Sequence, residues 1–179
     1  EKIAGKQTNH HYVLWYEDNR TILVKHEEFE YRVPSLRSGP AWLYLSSLGA
    51  NSLQYHYALM EQLKRWPNTK LAFQPGTFQM QLGKEKLKEV YEAADIFFCN
   101  KEEAQAILGS QSKDIKELLA GIRSLGPKIA VITDGRNGAS IETHEGAWHM
   151  PMYPDPAPPI SRTGAGDATA STTVSYIIK

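Results

Sequence analysis

The chain has 179 residues, enough for one domain with a sizeable hydrophobic core. Lysine and arginine together number 20, as do aspartate and glutamate, so no net charge attracts the protein to nucleic acid or to a membrane surface. The apolar runs are too short to span a bilayer. Cys99 is the single cysteine, which excludes an internal disulfide and favours a reducing compartment. We therefore expect a soluble, cytoplasmic protein with no nucleic-acid partner and no membrane partner.

Both ends of the sequence suggest a piece of a longer protein. The first residue is Glu1 rather than methionine, and the last residues, ATASTTVSYIIK, follow an apolar helical pattern that no glycine or proline ends. A helix that stopped there would leave its last carbonyl groups uncapped. We expect a chain trimmed on both sides.

The first part of the chain predicts a β-hairpin. Two runs rich in β-formers, Tyr12–Tyr16 and Thr21–Lys25, flank the turn-forming residues 17–20, and a third short run at 29–33 extends the pattern. A two-stranded hairpin is marginally stable alone in water, so its apolar side chains need a partner surface.

From residue 41 the sequence alternates between strand and helix, a pattern typical of a parallel sheet covered by helices. Short apolar runs predict strands, and longer runs with apolar residues three and four apart predict helices. The predicted elements are, in order, strand AWLYLSS, helix 52–66, strand KLAFQ, helix 84–93, strand DIFFC, helix 101–108, helix 113–125 and strand KIAVIT.

After residue 133 the pattern changes to hairpin-like strands, SIETHEG and then AWHM. The proline-rich PMYPDPAPP is incompatible with a helix interior or a central strand, and it leads to a final helix. We predict an α/β fold, a doubly wound and mainly parallel sheet over residues 37–179, preceded by a small β-sheet region over residues 1–36.

The strongest local signal is TGAGDA at 163–168. If Gly164, Ala165 and Gly166 open the last helix, their N–H groups have no acceptor within it and can bind an anion such as a phosphoryl group. Asp167 then lies beside that anion as an ionised carboxylate able to accept a proton. The plain alternative is a flexible turn with a capping aspartate.

Two further motifs follow strand ends. Asn100-Lys101-Glu102-Glu103 follows strand DIFFC, and by itself it reads as a capping box at the start of a helix. The run from Thr133 to Gly138 follows strand KIAVIT, and by itself it reads as a hairpin turn.

In their order and context, these motifs resemble those of the ribokinase-like (PfkB) family of carbohydrate and nucleoside kinases. TGAGDA resembles the C-terminal signature of the family, the run from Asn100 to Glu103 resembles its Asn-x-x-Glu element, and the run from Thr133 to Gly138 resembles its nucleotide loop. The N-terminal hairpin resembles part of the small lid that closes over the sugar. The resemblance covers nearly the whole chain, and it implies that residues 1–36 form the β-sheet lid and that residues 37–179 form the nucleotide-binding core.

The resemblance implies roles for particular residues. Asp167 would be the base that accepts the proton of the acceptor hydroxyl, and the backbone amides of Gly164, Ala165 and Gly166 would stabilise phosphoryl charge. The residues implied in binding ATP and Mg²⁺ are Asn100, Glu103, Thr133, Gly135, Gly138 and Thr163. Glu103 would act on the metal through water. For the apolar hairpin, the resemblance implies either a homodimer formed through the lid or a cover supplied by a missing part of the lid.

Two positions depart from the family pattern. Ser161 stands where an aspartate is usual, which puts a monovalent-cation site, and so potassium activation, in doubt. Gln74-Pro75-Gly76 stands where Asp-Pro-Asn is common, so a carboxylate and an amide are replaced.

The expected function is transfer of the γ-phosphate of ATP to a hydroxyl of a small sugar or nucleoside. These residues do not separate one acceptor from another. A non-catalytic nucleotide-binding or regulatory module that keeps the kinase fold is the alternative. A dinucleotide-dependent oxidoreductase is set aside, because its Gly-x-Gly-x-x-Gly motif belongs after the first strand of a βαβ unit.

Overall fold

A computed structural model of the chain describes residues 3–16, 19–25, 27–154 and 163–178. Two compact units make up the chain, Glu1–Arg32 and Val33–Lys179. The division falls after Arg32, whereas the sequence analysis placed it after residue 36. Within the described residues, no helix is both long and apolar enough to cross a membrane.

The first unit contains an antiparallel hairpin of β1 (His10–Tyr16) and β2 (Asn19–Lys25). Val13 lies opposite Ile22 and Tyr16 lies opposite Asn19. Each strand begins two residues before its predicted start, and each ends at its predicted last residue. The predicted extension at 29–33 is wrong, because those residues form no strand. Within the single chain, exposed apolar side chains occupy both faces of the hairpin: Tyr12, Leu14, Ile22, Leu23 and Val24.

The second unit is built on a six-stranded sheet, in which the strand order follows the chain order. The first four strands are parallel and the last two are antiparallel. These strands are β3 (Trp42–Leu45), β4 (Lys70–Phe73), β5 (Ile96–Asn100), β6 (Ile129–Thr133), β7 (Ala139–Glu142) and β8 (Ala147–Met150).

Six α-helices accompany this sheet in the described part of the chain. They are α1 (Leu53–Lys64), α2 (Thr77–Leu82), α3 (Lys88–Ala93), α4 (Lys101–Leu108), α5 (Ile115–Ser124) and α6 (Ala165–Ile178). Helix α2 is not predicted from the sequence, and α3 begins at Lys88, four residues after its predicted start at residue 84. Both helices are short, with six residues each, so neither gives a clear helical periodicity.

Helices cover both faces of the sheet, which confirms the predicted fold class. Alternate residues of β5 show this, because successive side chains of a strand point to opposite faces. Phe97 and Cys99 belong to the larger core, with buried residues of α1, α3, α4 and α5. Ile96 and Phe98 belong to a smaller core, with Ala170 and Val174 of α6. Helix α6 therefore packs on the face opposite to the other helices.

Candidate active site

The candidate site lies at the edge of the sheet where the parallel strands end. In open α/β sheets, ligands bind outside the carboxyl ends of the strands. Gln74 directly follows β4, Asn100 ends β5, and Thr133 ends β6. Asn100 and Thr133 are paired across the two strands, so the two predicted nucleotide motifs start side by side.

Asn100 and Glu103 form a reciprocal cap at the start of α4. The Glu103 N–H donates to Oδ1 of Asn100, and the Asn100 N–H donates to Oε2 of Glu103, each at 2.8 Å. The capping box predicted from the sequence is therefore present. Burial raises the pKa of Glu103; the hydrogen bond from the Asn100 amide opposes this, while the charges of Glu102 and Asp167 add to it.

Helix α6 begins at Ala165, and Gly164 directly precedes it with a φ of 83°. The Gly164 carbonyl accepts a hydrogen bond from the Ala168 N–H at 2.8 Å, which starts the helical ladder. The N–H groups of Ala165, Gly166 and Asp167 belong to the first turn and have no acceptor within the helix. All three residues are exposed. The predicted arrangement of a glycine pair at the opening of the last helix is therefore present.

Asp167 contacts the end of β4 through Gln74. The Gln74 side-chain amide donates to Oδ1 of Asp167, with 3.4 Å between Nε2 and Oδ1. The hydroxyl of Tyr44, on β3, donates to Oε1 of the same amide. Partial burial raises the pKa of Tyr44, and the negative charge of Asp167 raises it further. Asp167, Gln74 and Tyr44 therefore form one connected polar group.

The predicted nucleotide loop is a tight turn after β6. A single 3₁₀ turn covers Gly135–Asn137, and the Asp134 N–H donates to the Gly138 carbonyl at 2.8 Å. Gly138 has a φ of 87°, and a Cβ there would lie 2.1 Å from the Met150 carbonyl oxygen. This position therefore requires glycine.

Lys101 connects this turn to α4. Its Nζ donates to Oδ2 of Asp134 at 3.0 Å, and the Asn137 amide donates to the same oxygen at 3.1 Å. Burial disfavours the ionised form of Asp134, but the hydrogen bonds from Lys101 and Asn137 outweigh it and lower the pKa. The predicted residues thus form two groups. In the first, the charge of Asp167 contributes to the raised pKa of Glu103. In the second, the turn at 135–138 is joined to α4 by the hydrogen bond between Lys101 and Asp134.

Sequence reasoning missed a buried polar cluster beside the site. Gln79 and His56 are both fully buried. Oε1 of Gln79 accepts from the amides of Leu48 and Gly76, and Nε2 donates to the Ser46 carbonyl and lies 3.1 Å from Nε2 of His56. Gln79 therefore ties together the loops that follow β3 and β4. No motif in the sequence marks this pair.

The residues present suit a magnesium ion held mainly by phosphates and water. Among the described residues, no group of three or more His, Cys, Asp or Glu could by itself hold a metal ion. Mg²⁺ commonly uses one or two carboxylates, several waters and substrate phosphates. Glu103 and Asp167 supply such carboxylates, and the negative charge of Asp167 contributes to the raised pKa of both Glu103 and Tyr44. Ser161, on which the expectation about a monovalent cation rests, lies outside the described residues.

Several solved structures are similar to this chain. One is a nucleoside kinase from Methanocaldococcus jannaschii, described as an archaeal member of the ribokinase family, with 20% identity and a TM-score of 0.69, covering 97% of this chain and 56% of that one. A fructokinase from Vibrio cholerae, bound to fructose, ADP and a calcium ion, has 25% identity and a TM-score of 0.63. The match covers 83% of this chain and 50% of the fructokinase. A ribokinase from Giardia lamblia has 20% identity and a TM-score of 0.60, and the match covers 75% of this chain and 42% of the ribokinase.

These likenesses show the fold, and the chain spans about half the length of the solved structures it matches. No curated protein sequence matches the chain significantly. A family model described as "pfkB family carbohydrate kinase" matches residues 2–178, nearly the entire sequence. The chain therefore belongs to the pfkB family of carbohydrate kinases.

Proposed function

We propose that this chain carries the phosphoryl-transfer site of an ATP-dependent kinase that acts on a hydroxyl of a sugar or nucleoside. The observation that carries the proposal is the position of Asp167. It lies in the first turn of α6, directly after Gly166, and it is linked to the carboxyl edge of the sheet through Gln74. Family membership and this geometry support the same chemistry.

Asp167 is the proposed base. Its exposed carboxylate accepts the proton of the acceptor hydroxyl as the hydroxyl oxygen forms a bond to the γ-phosphorus. The bond between that phosphorus and the oxygen bridging to the β-phosphate breaks, and ADP leaves with the bonding electrons. General-base assistance of this kind is typically worth about 10²–10⁴ in rate.

The backbone amides of Gly164, Ala165 and Gly166 are the proposed anion hole. Phosphoryl transfer depends mostly on positioning and on stabilising charge on the transferred group. Helix N-termini provide unpaired N–H groups and a positive end for this purpose. Gly166 has no side chain to obstruct the anion, and the space beside it is open, because a Cβ there would meet only Nε2 of Gln74, at 3.8 Å.

The remaining predicted residues are the proposed nucleotide site. Asn100 and Glu103 organise Mg²⁺ and the triphosphate through water, and Thr133, Gly135, Gly138 and Thr163 line the nucleotide pocket. When bound, Mg²⁺ supplies charge neutralisation for the phosphates. The half-buried carboxylate of Glu103, which has a raised pKa and forms no ion pair with the described residues, is suited to orient water on such an ion.

The proposal also covers the class of acceptor, the role of the hairpin as a lid, and the location of the protein in the cell. The acceptor class is a small sugar or nucleoside, and the apolar hairpin of β1 and β2 suits a lid that pairs with a second copy. The cytoplasm, where ATP and Mg²⁺ are available, is the proposed location. A non-catalytic nucleotide-binding module is the alternative, and the departures from the family pattern at Ser161 and Gln74 are the features that favour it.

The test is ADP release from ATP and Mg²⁺ across a panel of sugars and nucleosides, with Asp167→Asn assayed in parallel. We expect acceptor-dependent release that falls at least a hundredfold in the variant while ATP binding persists. Asp114→Asn is the matched control, because asparagine also caps a helix and Asp114 caps α5. ATP binding without release for any acceptor would support the non-catalytic module.

A further inference from the structure

A chain of side-chain hydrogen bonds joins β3, the end of β4 and α6. The Tyr44 hydroxyl donates to Oε1 of Gln74, and Nε2 of Gln74 donates to Oδ1 of Asp167 at 3.4 Å. Gln74 and Asp167 are 93 positions apart in the sequence, so this contact is a long-range one. The tyrosine and the glutamine thereby connect the proposed base to the main sheet.

The orientation of the Gln74 amide follows from the chemistry of its two neighbours. An ionised carboxylate can only accept hydrogen bonds, so the amide must present its NH₂ group to Asp167. Its carbonyl oxygen then points toward Tyr44, whose hydroxyl has a proton to donate. A flipped amide would place two acceptors against each other at Asp167. Tyr44 therefore stabilises the one orientation that is useful to Asp167.

A neutral donor at position 74 also suits the local charge. The negative charge of Asp167 already contributes to the raised pKa of Glu103 and of Tyr44. A carboxylate at position 74 would add a third negative group and could not donate to Asp167 while ionised. Glutamine removes that repulsion and supplies a hydrogen bond.

We propose that Gln74 is a positioning residue for Asp167, with Tyr44 fixing the orientation of its amide. The catalytic part of this proposal rests on the proposed function, in which Asp167 is the base. The hydrogen bond between Gln74 and Asp167 does not depend on that function, and it can be tested without measuring catalysis. Holding the carboxylate at the sheet edge restricts it to positions from which it can reach an acceptor hydroxyl.

The first measurement is the ¹H–¹⁵N NMR spectrum of the 20.1 kDa chain. The side-chain NH₂ signals of Gln74 are identified by their loss in Gln74→Glu. We expect these signals to move in Asp167→Asn and in Tyr44→Phe, and to stay in place in Tyr57→Phe, which alters an exposed tyrosine of α1. Gln74 signals that are unchanged in Asp167→Asn would overturn the proposed contact, whether or not the chain is a kinase.

The second measurement uses the acceptor identified in the panel. Gln74→Met keeps the length of the side chain but has no amide, and we expect it to lower kcat about tenfold or more while KM for ATP changes less than about twofold. We expect Gln74→Glu to lower kcat at least as much, Tyr44→Phe to lower it less, and Gln54→Met, at an exposed site on α1, to have no effect. Wild-type kcat in Gln74→Met would overturn the positioning role while leaving the kinase intact. If no acceptor supports release, the proposed function fails, and the NMR result alone decides whether Gln74 holds Asp167.

Discussion

Lys101 donates a hydrogen bond to Asp134, with 3.0 Å between Nζ and Oδ2, and this bond joins the start of α4 to the glycine turn after β6. The two side chains are largely shielded from solvent, with 21% and 24% of their surfaces exposed. Lys101 belongs to the motif at 100–103 and Asp134 to the motif at 133–138, each at a position that the family pattern leaves open. The pair therefore connects two motifs that were recognised separately.

We expect Lys101→Met to loosen the turn and to weaken ATP binding about tenfold, with a loss of about 1 kcal/mol in the free energy of unfolding. Isothermal titration calorimetry and urea unfolding provide the two values. Lys64→Met is the control, because the Lys64–Glu61 pair is exposed and such pairs contribute little. Unchanged ATP affinity in Lys101→Met would contradict a role in holding the turn.

The same pair predicts sensitivity to acid. The pKa of Asp134 is lower in the folded chain than in the unfolded chain. Its contribution to stability is therefore complete above the unfolded pKa, about 3.9, and is lost as the pH falls through the folded pKa. We expect urea unfolding between pH 5 and 2 to show a smaller loss of stability in Asp134→Asn than in the wild type. Equal losses would contradict the prediction.

The effect of pH on the stability contribution of Glu103 is opposite in sign to that of Asp134. The pKa of Glu103 is higher in the folded chain, so its contribution is complete below the unfolded pKa, about 4.3, and is lost as the pH rises through the folded pKa. Glutamine can replace glutamate in a capping box. We therefore expect Glu103→Gln to be at least as stable as the wild type at pH 7.

The same variant lacks the carboxylate, so we expect magnesium-dependent ATP binding to weaken about tenfold. Glu89→Gln, in the first turn of α3, is the matched control and should leave binding unchanged. A marked fall in melting temperature in Glu103→Gln would instead show that the charge is needed for folding.

Position 138 requires glycine for two reasons: its backbone has a positive φ, and a neighbouring carbonyl group leaves no room for a Cβ atom. An added Cβ would lie 2.1 Å from the Met150 carbonyl oxygen, and the φ of 87° is unfavourable for other residues. We expect Gly138→Ala to lower the free energy of unfolding by about 3 kcal/mol or more. Gly109→Ala, whose Cβ would meet nothing within 4 Å, should cost only about 1–2 kcal/mol. Similar losses in both variants would refute the steric argument.

His56 makes stability depend on pH near neutrality. Burial lowers its pKa, and the hydrogen bond to the Ser52 carbonyl only partly offsets this. The neutral ring therefore stabilises the fold fully above the unfolded pKa, about 6.5, and this contribution is lost as the pH falls through the folded pKa. Urea unfolding between pH 8 and 5 should show this loss in the wild type and in His144→Gln, an exposed control, but not in His56→Leu. A pH dependence that persists in His56→Leu would assign the effect to other groups.

The sequence predicted the sheet and most helices because their local patterns agree with the final packing. Strands β5 and β6 begin with the continuous apolar runs IFFC and IAVI, as expected for parallel strands buried on both faces. The short α2 was missed, because six residues after a Pro-Gly pair do not establish a period. The starts of β1 and β2 were predicted two residues too late for a similar reason, since polar residues such as His10 and Asn19 join the ladder.

The site was predictable only in part. Glycines, the capping box and Asp167 lie in contiguous motifs, so the sequence reveals them. The contacts of Tyr44 and Gln74 with Asp167, and of Gln79 with the loops after β3 and β4, join residues far apart in the chain. Such contacts depend on tertiary packing, which no local pattern encodes.

The position of α6 has a consequence for how the site holds together. Two of its described side chains, Ala170 and Val174, are buried, whereas the shorter α5 buries Leu118, Leu119 and Ile122. Proteins open locally where few apolar contacts are made, and such openings need not unfold the rest. We expect amide protons of α6 to exchange with deuterium well before those of β5 and β6. A ligand that bridges Asp167 and the sheet would slow that exchange, because it binds only while the helix is docked.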